Sequence, residues 1–254
     1  MAIPAARVAA LYDIHGNLPA LEAVLAEVDA LGVDAVIIGG DFAAGPMPRE
    51  TLALLHARKD ARFIRGNADR ELAVGAPEPT SEAARPAWSW LTDHLDDEQR
   101  EWLAGLDLSL TLDVEGLGAV LFCHGSPRSD EEIITRLSPD ERVAPMLTDV
   151  AEPIVVCGHT HVQFDRRVVD GRRIVNAGSV GMPYQDRPGA YWALLSDVVD
   201  LQRTDYDLDE AAERIIATGH PEAVDLIEML RNPPSGEAAS LHFEKMAVEL
   251  ESSG

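Results

Sequence analysis

The residues best suited to chemistry lie where apolar runs of the sequence end. Five such runs end in residues that coordinate metal ions, in most cases beside a glycine. The residues are Asp13, His15, Asp41, Asn67, His124, His159 and His161. One aspartate after a strand is typically a helix cap or a turn former. Seven ligands at successive strand ends instead predict a shared metal site, because α/β sheets gather polar residues at the carboxyl ends of their strands.

The residue types also indicate which metals would bind and how many ions. Imidazoles with carboxylates suit Mn, Fe, Ni, Co or Zn, whereas thiolate-rich sites are typical of zinc fingers. Seven ligands exceed the four of a tetrahedral zinc site and suffice for two ions if one carboxylate bridges them. Two divalent ions about 3.5–4 Å apart form the clamp used for in-line displacement at phosphorus. We therefore expect two divalent transition metal ions and phosphoryl chemistry.

The elements that must position these ligands begin as alternating strands and helices. The hydrophobic pattern predicts strands at 7–13, 33–41 and 61–67, with helices at 18–31 and 49–57 between them. This order is the parallel strand–helix–strand unit. We expect Asn17 to cap the first of these helices, with a role in orienting ligands as the alternative.

The rest of the chain adds antiparallel strands and further helices. Strands or hairpins are predicted at 108–125, 152–161, 163–179 and 190–207, and helices at 87–95, 96–106 and 139–150. Segment 76–86 is predicted to be a loop or lid. From Leu208 the pattern is helical, with breaks at Gly219-His220-Pro221 and at 232–236. Parallel and antiparallel strands together predict an α/β sandwich with mixed sheets.

Composition excludes several classes of protein. The chain has 254 residues, 46% of them apolar, and a formal net charge of −23. Such a charge repels long polyanions, so we expect a small phosphoester substrate rather than a long nucleic acid. No apolar run approaches the ~20 residues of a membrane span, and no signal peptide is readable. Cytoplasmic residence is expected, since the two cysteines, Cys123 and Cys157, form no disulfide framework.

Five short segments resemble the conserved blocks of the calcineurin-like metallophosphoesterases. DIHGN, GGD, GNAD, CHGSP and GHTH occur in the family's order and rough spacing, and the resemblance covers about residues 6–200. NAGSVGMP at 176–183 is similar to the small bacterial phosphodiesterase branch. The resemblance implies a four-layer α/β/β/α sandwich of two mixed β-sheets over residues 1–205. It also implies a C-terminal helical extension over 206–254, packed on or near that domain.

The resemblance further implies a role for each ligand. A first metal would be held by Asp13, His15 and His161, a second by Asn67, His124 and His159, and Asp41 would bridge them. Asn67 and His124 would belong to the catalytic centre, with the Asn67 amide stabilising charge on the phosphoryl oxygens. The implied activity is that of a dinuclear phosphodiesterase acting on small phosphodiesters or nucleotides through a metal-bridging hydroxide. No organic cofactor is required.

The third block departs from the family pattern. Many members carry a histidine after the asparagine, usually assigned as the acid that protonates the leaving group, whereas this chain has Ala68. Three substitutes remain open: a good leaving group, a proton from the substrate or a water, or another side chain. Asp69, which would have supported that histidine, is then expected to be structural.

Several positions outside the blocks have a functional and a structural interpretation. Arg187 could bind the substrate phosphate or form a surface ion pair, and the same alternatives hold for Arg65 and Arg70. Ser126 and Arg128 could line the mouth of the site or shape a loop. The remaining predictions are surface positions for four histidines, core packing for three tryptophans and burial of both cysteines. The histidines and tryptophans are His56, His94, His220, His242, Trp88, Trp90 and Trp102.

Two other functions compete with hydrolysis of a small ester. A binding scaffold with the same fold would have lost catalysis, but here all seven ligands are present. A nuclease acting on long DNA or RNA would fit the metals but not the net charge of −23. Metal content and diester hydrolysis distinguish the three, and the oligomeric state stays open.

Overall fold

The computed structural model describes residues 4–74, 85–168 and 170–253, which form strands β1 to β10 and helices α1 to α9. The strands are β1 (Val8–Leu11), β2 (Ala35–Ile38), β3 (Ala61–Phe63), β4 (Ser109–Val114), β5 (Gly118–Cys123), β6 (Ile154–Cys157), β7 (Phe164–Arg167), β8 (Arg173–Asn176), β9 (Ala190–Leu195) and β10 (Val199–Thr204). The helices are α1 (Leu18–Leu31), α2 (Pro48–His56), α3 (Asn67–Val74), α4 (Arg85–Asp93), α5 (Asp97–Ala104), α6 (Asp140–Met146), α7 (Leu208–Ala217), α8 (Ala223–Arg231) and α9 (Gly236–Ser253).

The strands form two five-stranded sheets of mixed direction. In the first sheet the order is β10-β9-β1-β2-β3, with β1, β2 and β3 parallel and β9 antiparallel to β1. In the second the order is β4-β5-β6-β8-β7, with β5, β6 and β8 parallel and both edge strands antiparallel to their neighbours. The prediction of mixed sheets is confirmed.

The two sheets pack face to face, with helices on their outer faces. Val8, Ala10 and Tyr12 point toward the second sheet, where they share a core with Phe122 and Val156. The alternate residues of the first sheet pack instead against α1 and α2, and those of the second sheet against α6. This alternation follows from the two-residue period of a strand. The four-layer α/β/β/α sandwich implied by the resemblance is confirmed.

The first helix begins where its cap predicts. The side chain of Asn17 accepts a hydrogen bond from the backbone N–H of Ala20 at 3.3 Å, and Gly32 ends the helix in a left-handed conformation. The Asn17 amide also donates to the carbonyl of Gly181 at 2.9 Å. Asn17 therefore both caps α1 and ties it to the loop before β9.

Three helices follow the last strand. α7 and α8 pack on the start of α1 and on the loop before α2 through an apolar cluster of Leu18, Met47, Ala212, Ile215, Ala223, Ile227 and Leu230. α9 is fastened to the second sheet's side of the molecule by Glu244, which pairs with Arg142 at 2.6 Å. Within the described residues no helix is long and apolar enough to cross a membrane.

Most predicted elements lie within a few residues of their observed positions, with one omission. α3 was not predicted, and its first residue is Asn67, which the sequence places at the end of the third strand. Of the predicted loop or lid at 76–86, residues 76–84 lie outside the described residues, and the last two belong to α4. Both cysteines are free and fully buried, as predicted.

Candidate metal centre

The ends of strands from both sheets meet and bring the predicted ligands to one edge of the sandwich. Asp13 lies just beyond β1, Asp41 beyond β2, and Asn67 opens α3 after β3. In the second sheet His124 follows β5, and the histidine pair of the GHTH segment follows β6. Because these strands are parallel within each sheet, their carboxyl ends lie at the same edge.

The backbone is unusual at these positions. In the described part of the chain, the non-glycine residues with a positive φ are all predicted ligands: Asp13 (52°), His15 (46°), Asp41 (52°), His159 (66°) and His161 (56°). L-residues adopt this region rarely, and such strain clusters at functional sites where the surroundings enforce it. Backbone hydrogen bonds enforce it here, among them His15 N–H to the Asp41 carbonyl at 2.9 Å.

A first set of ligand atoms comes from Asp13, His15 and His161, which lie within 4.8 Å of one another. Nε2 of His161 is 3.2 Å from Oδ1 of Asp13, and Nε2 of His15 is 3.9 Å from the same oxygen. The two Nε2 atoms are 3.1 Å apart. Metal–nitrogen bonds of about 2.0–2.1 Å place neighbouring ligands about 3 Å apart, so this spacing fits one ion.

The opposite nitrogens of these rings are held by backbone carbonyls. Nδ1 of His15 donates to the carbonyl of Ala44 at 3.1 Å, and Nδ1 of His161 donates to that of Met182 at 2.7 Å. Since a carbonyl only accepts, each Nδ1 carries the proton and each Nε2 presents a lone pair. Two facing lone pairs beside a carboxylate repel unless a cation lies between them.

A second set of ligand atoms comes from Asp13, Asp41 and His124, also within 4.8 Å of one another. Nε2 of His124 is 3.4 Å from Oδ2 of Asp41 and 3.8 Å from Oδ1 of Asp13. Nδ1 of His124 donates to the carbonyl of Gly39 at 2.9 Å, so Nε2 is the ring nitrogen that faces the two carboxylates. Asp13 thus belongs to both sets.

Three ligand atoms are buried without a hydrogen-bond partner among the described residues: Oδ1 of Asp13, Nε2 of His124 and Oδ1 of Asn67. Buried polar atoms without partners are costly and uncommon in folded proteins. All three are atoms that bind metals, and nitrogen with carboxylate oxygen is a set that suits divalent transition metals. The residues present therefore fit the predicted cations.

Asn67 and His159, predicted for the second metal, adjoin the second set. Asn67 is the first residue of α3. The backbone N–H of the next residue, Ala68, donates to Oδ1 of Asp41 at 2.8 Å. The His159 ring lies against the His124 ring, with centroids 5.1 Å apart, and its backbone N–H donates to Oδ2 of Asp13 at 2.9 Å. The assignment of individual ligands to each metal, and of Asp41 as the bridge, stays a prediction.

Burial and neighbouring charges set the protonation of the site. Burial would raise the pKa of Asp41, but the charge of His124 outweighs it and holds that pKa well below its usual range. In the same way His161 and His124 hold the pKa of Asp13 below its ordinary value against the effect of burial. Burial would lower the pKa of His124, but the two carboxylates raise it to about 10. Burial and the charge of His124 lower the pKa of His159 to about 4.

Asp69 is a structural anchor for the second block. Its carboxylate accepts hydrogen bonds from the backbone N–H groups of Asp41 at 2.6 Å, Phe42 at 3.2 Å and Gly66 at 3.0 Å. Burial and the nearby Asp41 charge raise its pKa to about 7. Asp69 therefore joins the loop after β2 to the turn before α3, which agrees with the structural role expected from the sequence.

Two glycines let the ligand loops approach each other. A Cβ on Gly66 would lie 2.1 Å from Oδ1 of Asp41, and one on Gly158 would lie 2.6 Å from Oδ2 of Asp13. Real Cβ atoms do not come so close to another atom. Only glycine therefore permits the observed placement of both carboxylates.

The three arginines considered for phosphate binding lie outside the two sets of ligand atoms. The side chain of Arg187 is exposed, so its role in substrate binding stays a prediction. Arg65 and Arg70 both pair with Asp130, at 3.3 and 3.0 Å, which favours the structural alternative for them. Ser126 and Arg128 likewise both bond to Glu132.

The structure also corrects one prediction. His220 was expected at the surface, but only 6% of it is exposed. It lines a cavity of about 180 Å³ that reaches the predicted metal ligand His15. The sequence Thr-Gly-His-Pro around it is typical of a turn, and only the packing of α4, α7 and α8 buries it. His56 and His242 are exposed as predicted, whereas His94 is half-buried.

Two mixed sheets with imidazoles and carboxylates at their shared edge define an α/β protein with a candidate site for divalent metal ions. A match to the calcineurin-like phosphoesterase superfamily domain covers residues 7–200, most of the chain. The chain belongs to that superfamily, which supports a hydrolase with divalent metal cofactors.

Several known proteins are similar to this chain in sequence or fold. An uncharacterized protein from Methanocaldococcus jannaschii is 24% identical over 85% of this chain and 94% of its own. The crystal structure of a metallophosphoesterase from Sphaerobacter thermophilus is similar with a TM-score of 0.69 and 28% identity, over 89% of this chain and 98% of that one. A hypothetical protein from Pyrococcus horikoshii shares the fold with a TM-score of 0.76 and 23% identity, over 90% and 99% of the two chains.

Proposed function

We propose that this protein is a dinuclear metal-dependent phosphodiesterase that acts on small phosphodiesters. The observation that carries the proposal is the pair of ligand sets that share Asp13, whose buried Oδ1 has no hydrogen-bond partner among the described residues. Two adjacent ions would use that oxygen and the free imidazole nitrogens facing it. Mn, Fe, Ni, Co and Zn all suit these donors.

Different residues of the chain would bind the metals and stabilise charge on the substrate. When bound, divalent ions bring the pKa of a coordinated water close to neutrality and offset charge on phosphoryl oxygens. Asp13, His15 and Asp41 would hold the ions, with the ring of His15 oriented by the Ala44 carbonyl. The side-chain amide of Asn67, at the edge of the second set, is placed to stabilise negative charge on a phosphoryl oxygen.

The choice of a small diester rests on charge and on the third block. A net charge of −23 disfavours long polyanions and multiply charged substrates. Ala68 removes the usual proton donor to the leaving group. A diester carries one negative charge instead of two, and a good leaving group needs no protonation. Both features favour small diesters with acidic alcohols.

Metal content and one substitution test the proposal. Purified protein should bind close to two transition metal ions per chain, measured by mass spectrometry after exchange with Mn. Asp41→Asn should reduce hydrolysis of a chromogenic phosphodiester at least about 100-fold, since it removes a ligand charge. Asp97→Asn, at an exposed position of α5, is the matched control and should keep full activity.

The outcomes separate the competing functions. A chain that binds no metal and hydrolyses nothing would be a scaffold. A chain that degrades long DNA faster than small diesters would be a nuclease. Full activity in Asp41→Asn would show that this carboxylate holds no catalytic metal.

A further inference from the structure

A cavity is bordered by one predicted metal ligand and by the helices that follow the last strand. Its volume is about 180 Å³. Its lining includes His15 and Gly45, Leu91 of α4, and Leu226 and Met229 of α8. The C-terminal helices therefore supply a wall of a space that begins at a metal ligand.

The chemistry of the walls limits what could enter. The described lining residues are mainly apolar and include one carboxylate, that of Glu222, and no lysine or arginine. An apolar cavity of about 150 Å³ is known to take up benzene. The space therefore suits an uncharged organic group no larger than about one ring, and it disfavours a second phosphate.

His220 gives this apolar space one hydrogen-bond donor. Its Nδ1 accepts a hydrogen bond from the backbone N–H of Glu222 at 3.2 Å, so the proton of the neutral ring is on Nε2. No described residue is hydrogen-bonded to that Nε2–H. The ring is buried and packs against Trp90, with centroids 4.9 Å apart. A donor without a protein partner gains a bond when a ligand in the cavity supplies an acceptor.

We propose that this cavity binds the organic group of the phosphoester next to the metals, and that Nε2–H of His220 donates to a polar atom of that group. The group is compact, uncharged and apolar, up to one aromatic ring. This inference rests on the proposed function, since it assigns the substrate class of the same site. It makes the C-terminal helices part of substrate recognition.

The first test fills the cavity and measures binding without catalysis. Leu226→Trp places a larger side chain in the space, whereas Val224→Trp on the same helix lies at a position 74% exposed and is the matched control. Phenol is the probe, and its binding to the full chain is measured by saturation-transfer NMR. We expect saturable binding to the native chain and the control, and at least about tenfold weaker binding to Leu226→Trp, because its site is filled.

The second test removes the donor. Toluene has nearly the shape of phenol but no oxygen, so the native chain should prefer phenol about five- to tenfold, the range of one hydrogen bond. His220→Phe should abolish this preference while still binding toluene. His220→Asn retains an acceptor for the Glu222 N–H and a donor, and should keep part of the preference.

Hydrolysis of bis(4-nitrophenyl) phosphate, run in parallel, separates the two proposals. A chain that binds phenol as described but hydrolyses no ester would contradict the proposed function, and the cavity would stand only as a site for a compact organic group. Normal hydrolysis with phenol binding unchanged in Leu226→Trp would overturn the cavity assignment alone. Thermal unfolding checks each variant, and Met229→Trp, one turn further along α8, replaces Leu226→Trp if that chain does not fold.

Discussion

At the residue scale, the ligands are placed by backbone conformations that side chains ordinarily avoid. Five of the seven predicted ligands have positive φ. Glycines occupy the two positions, 66 and 158, where a Cβ would clash with a ligand carboxylate. These conformations aim Nε2 and Oδ1 atoms at one small volume. Their conformational cost, of order 1–3 kcal/mol each, is acceptable only where the surrounding structure enforces them. The strain therefore belongs to the metal centre.

Ala68 is the position where a single side chain could widen the substrate range. It lies in the first turn of α3, half-buried, with its N–H on Asp41. Ala68→His should speed turnover of diesters with poor leaving groups more than that of diesters with good ones, because proton donation matters only for poor ones. The gain should not exceed the ~10²–10⁴-fold typical of general acid catalysis. Rates across a series of leaving groups measure it.

The control for this substitution lies on the same helix. Val74→His places an imidazole at a position 67% exposed and should leave the whole series unchanged. An equal effect of Ala68→His on good and poor leaving groups would mean that position 68 does not face the leaving group.

At the element scale, sequence patterns predict the ligand-bearing strands well because buried strands and their glycine-flanked ends are local features. α3 escaped prediction because only two of its eight residues, Asp69 and Leu72, are buried, and its start is fixed by contacts distant in sequence. Asp69 in its first turn reaches the backbone of Asp41 and Phe42, 28 and 27 residues earlier. The hydrophobic pattern of residues 67–74 carries no information about those contacts.

His220 escaped prediction for a related reason. A histidine between glycine and proline is typical of an exposed turn, and its burial depends on Trp90, which lies on a helix far away in sequence. Patterns of apolar residues predicted α7 and α8 themselves, but not where they dock. The cavity is a product of that docking, so it could be found only in the structure.

The attachment of α9 depends on one half-buried carboxylate. Glu244 accepts hydrogen bonds from Arg142, Ser138 and Thr135, all at 2.5–2.6 Å. Glu244→Gln should lower the free energy of unfolding by about 2–4 kcal/mol, since it removes the nearer of the two carboxylates that pair with the buried Arg142 charge. Urea unfolding at neutral pH measures this. Glu249→Gln, which changes an exposed pair with Lys245, should cost less than about 0.5 kcal/mol.

The same pair predicts a pH dependence. Burial would raise the pKa of Glu244, but its bonds to Arg142 and the two hydroxyls outweigh that and hold it below the ordinary value of 4.5. A group with a lowered pKa stabilises the fold above its unfolded-state pKa and loses that contribution as pH falls through its folded-state pKa. The difference between native chain and Glu244→Gln should therefore be full above about pH 4.5 and shrink below it. A difference that stays constant down to pH 3 would contradict the ion pair.

At the scale of the whole molecule, two sheets are needed because neither could supply the site alone. The first sheet contributes both aspartates, and the second contributes His124 and the histidine pair of the GHTH segment. The ligand sets therefore form only when the sheets pack through their shared core. Metal binding should stabilise the folded chain by an amount that grows with the logarithm of its affinity, since the unfolded chain has no such site.

The charge of the whole molecule should act on the substrate before it reaches the metals. Two divalent ions offset only a small part of the net charge of −23, so an anionic ester approaches against an unfavourable field. Salt screens that field, with a Debye length near 8 Å at about 0.15 M.

We expect kcat/KM for a phosphodiester to rise about two- to fivefold between ~20 and ~200 mM KCl, because screening removes repulsion. For a phosphomonoester, which carries the larger charge, the rise should be steeper. Phenol binding in the cavity, which involves no charge, is the control and should not change. A kcat/KM that falls as salt is added would show that a positive local field governs the mouth of the site, and the argument from charge against long polyanions would then fail.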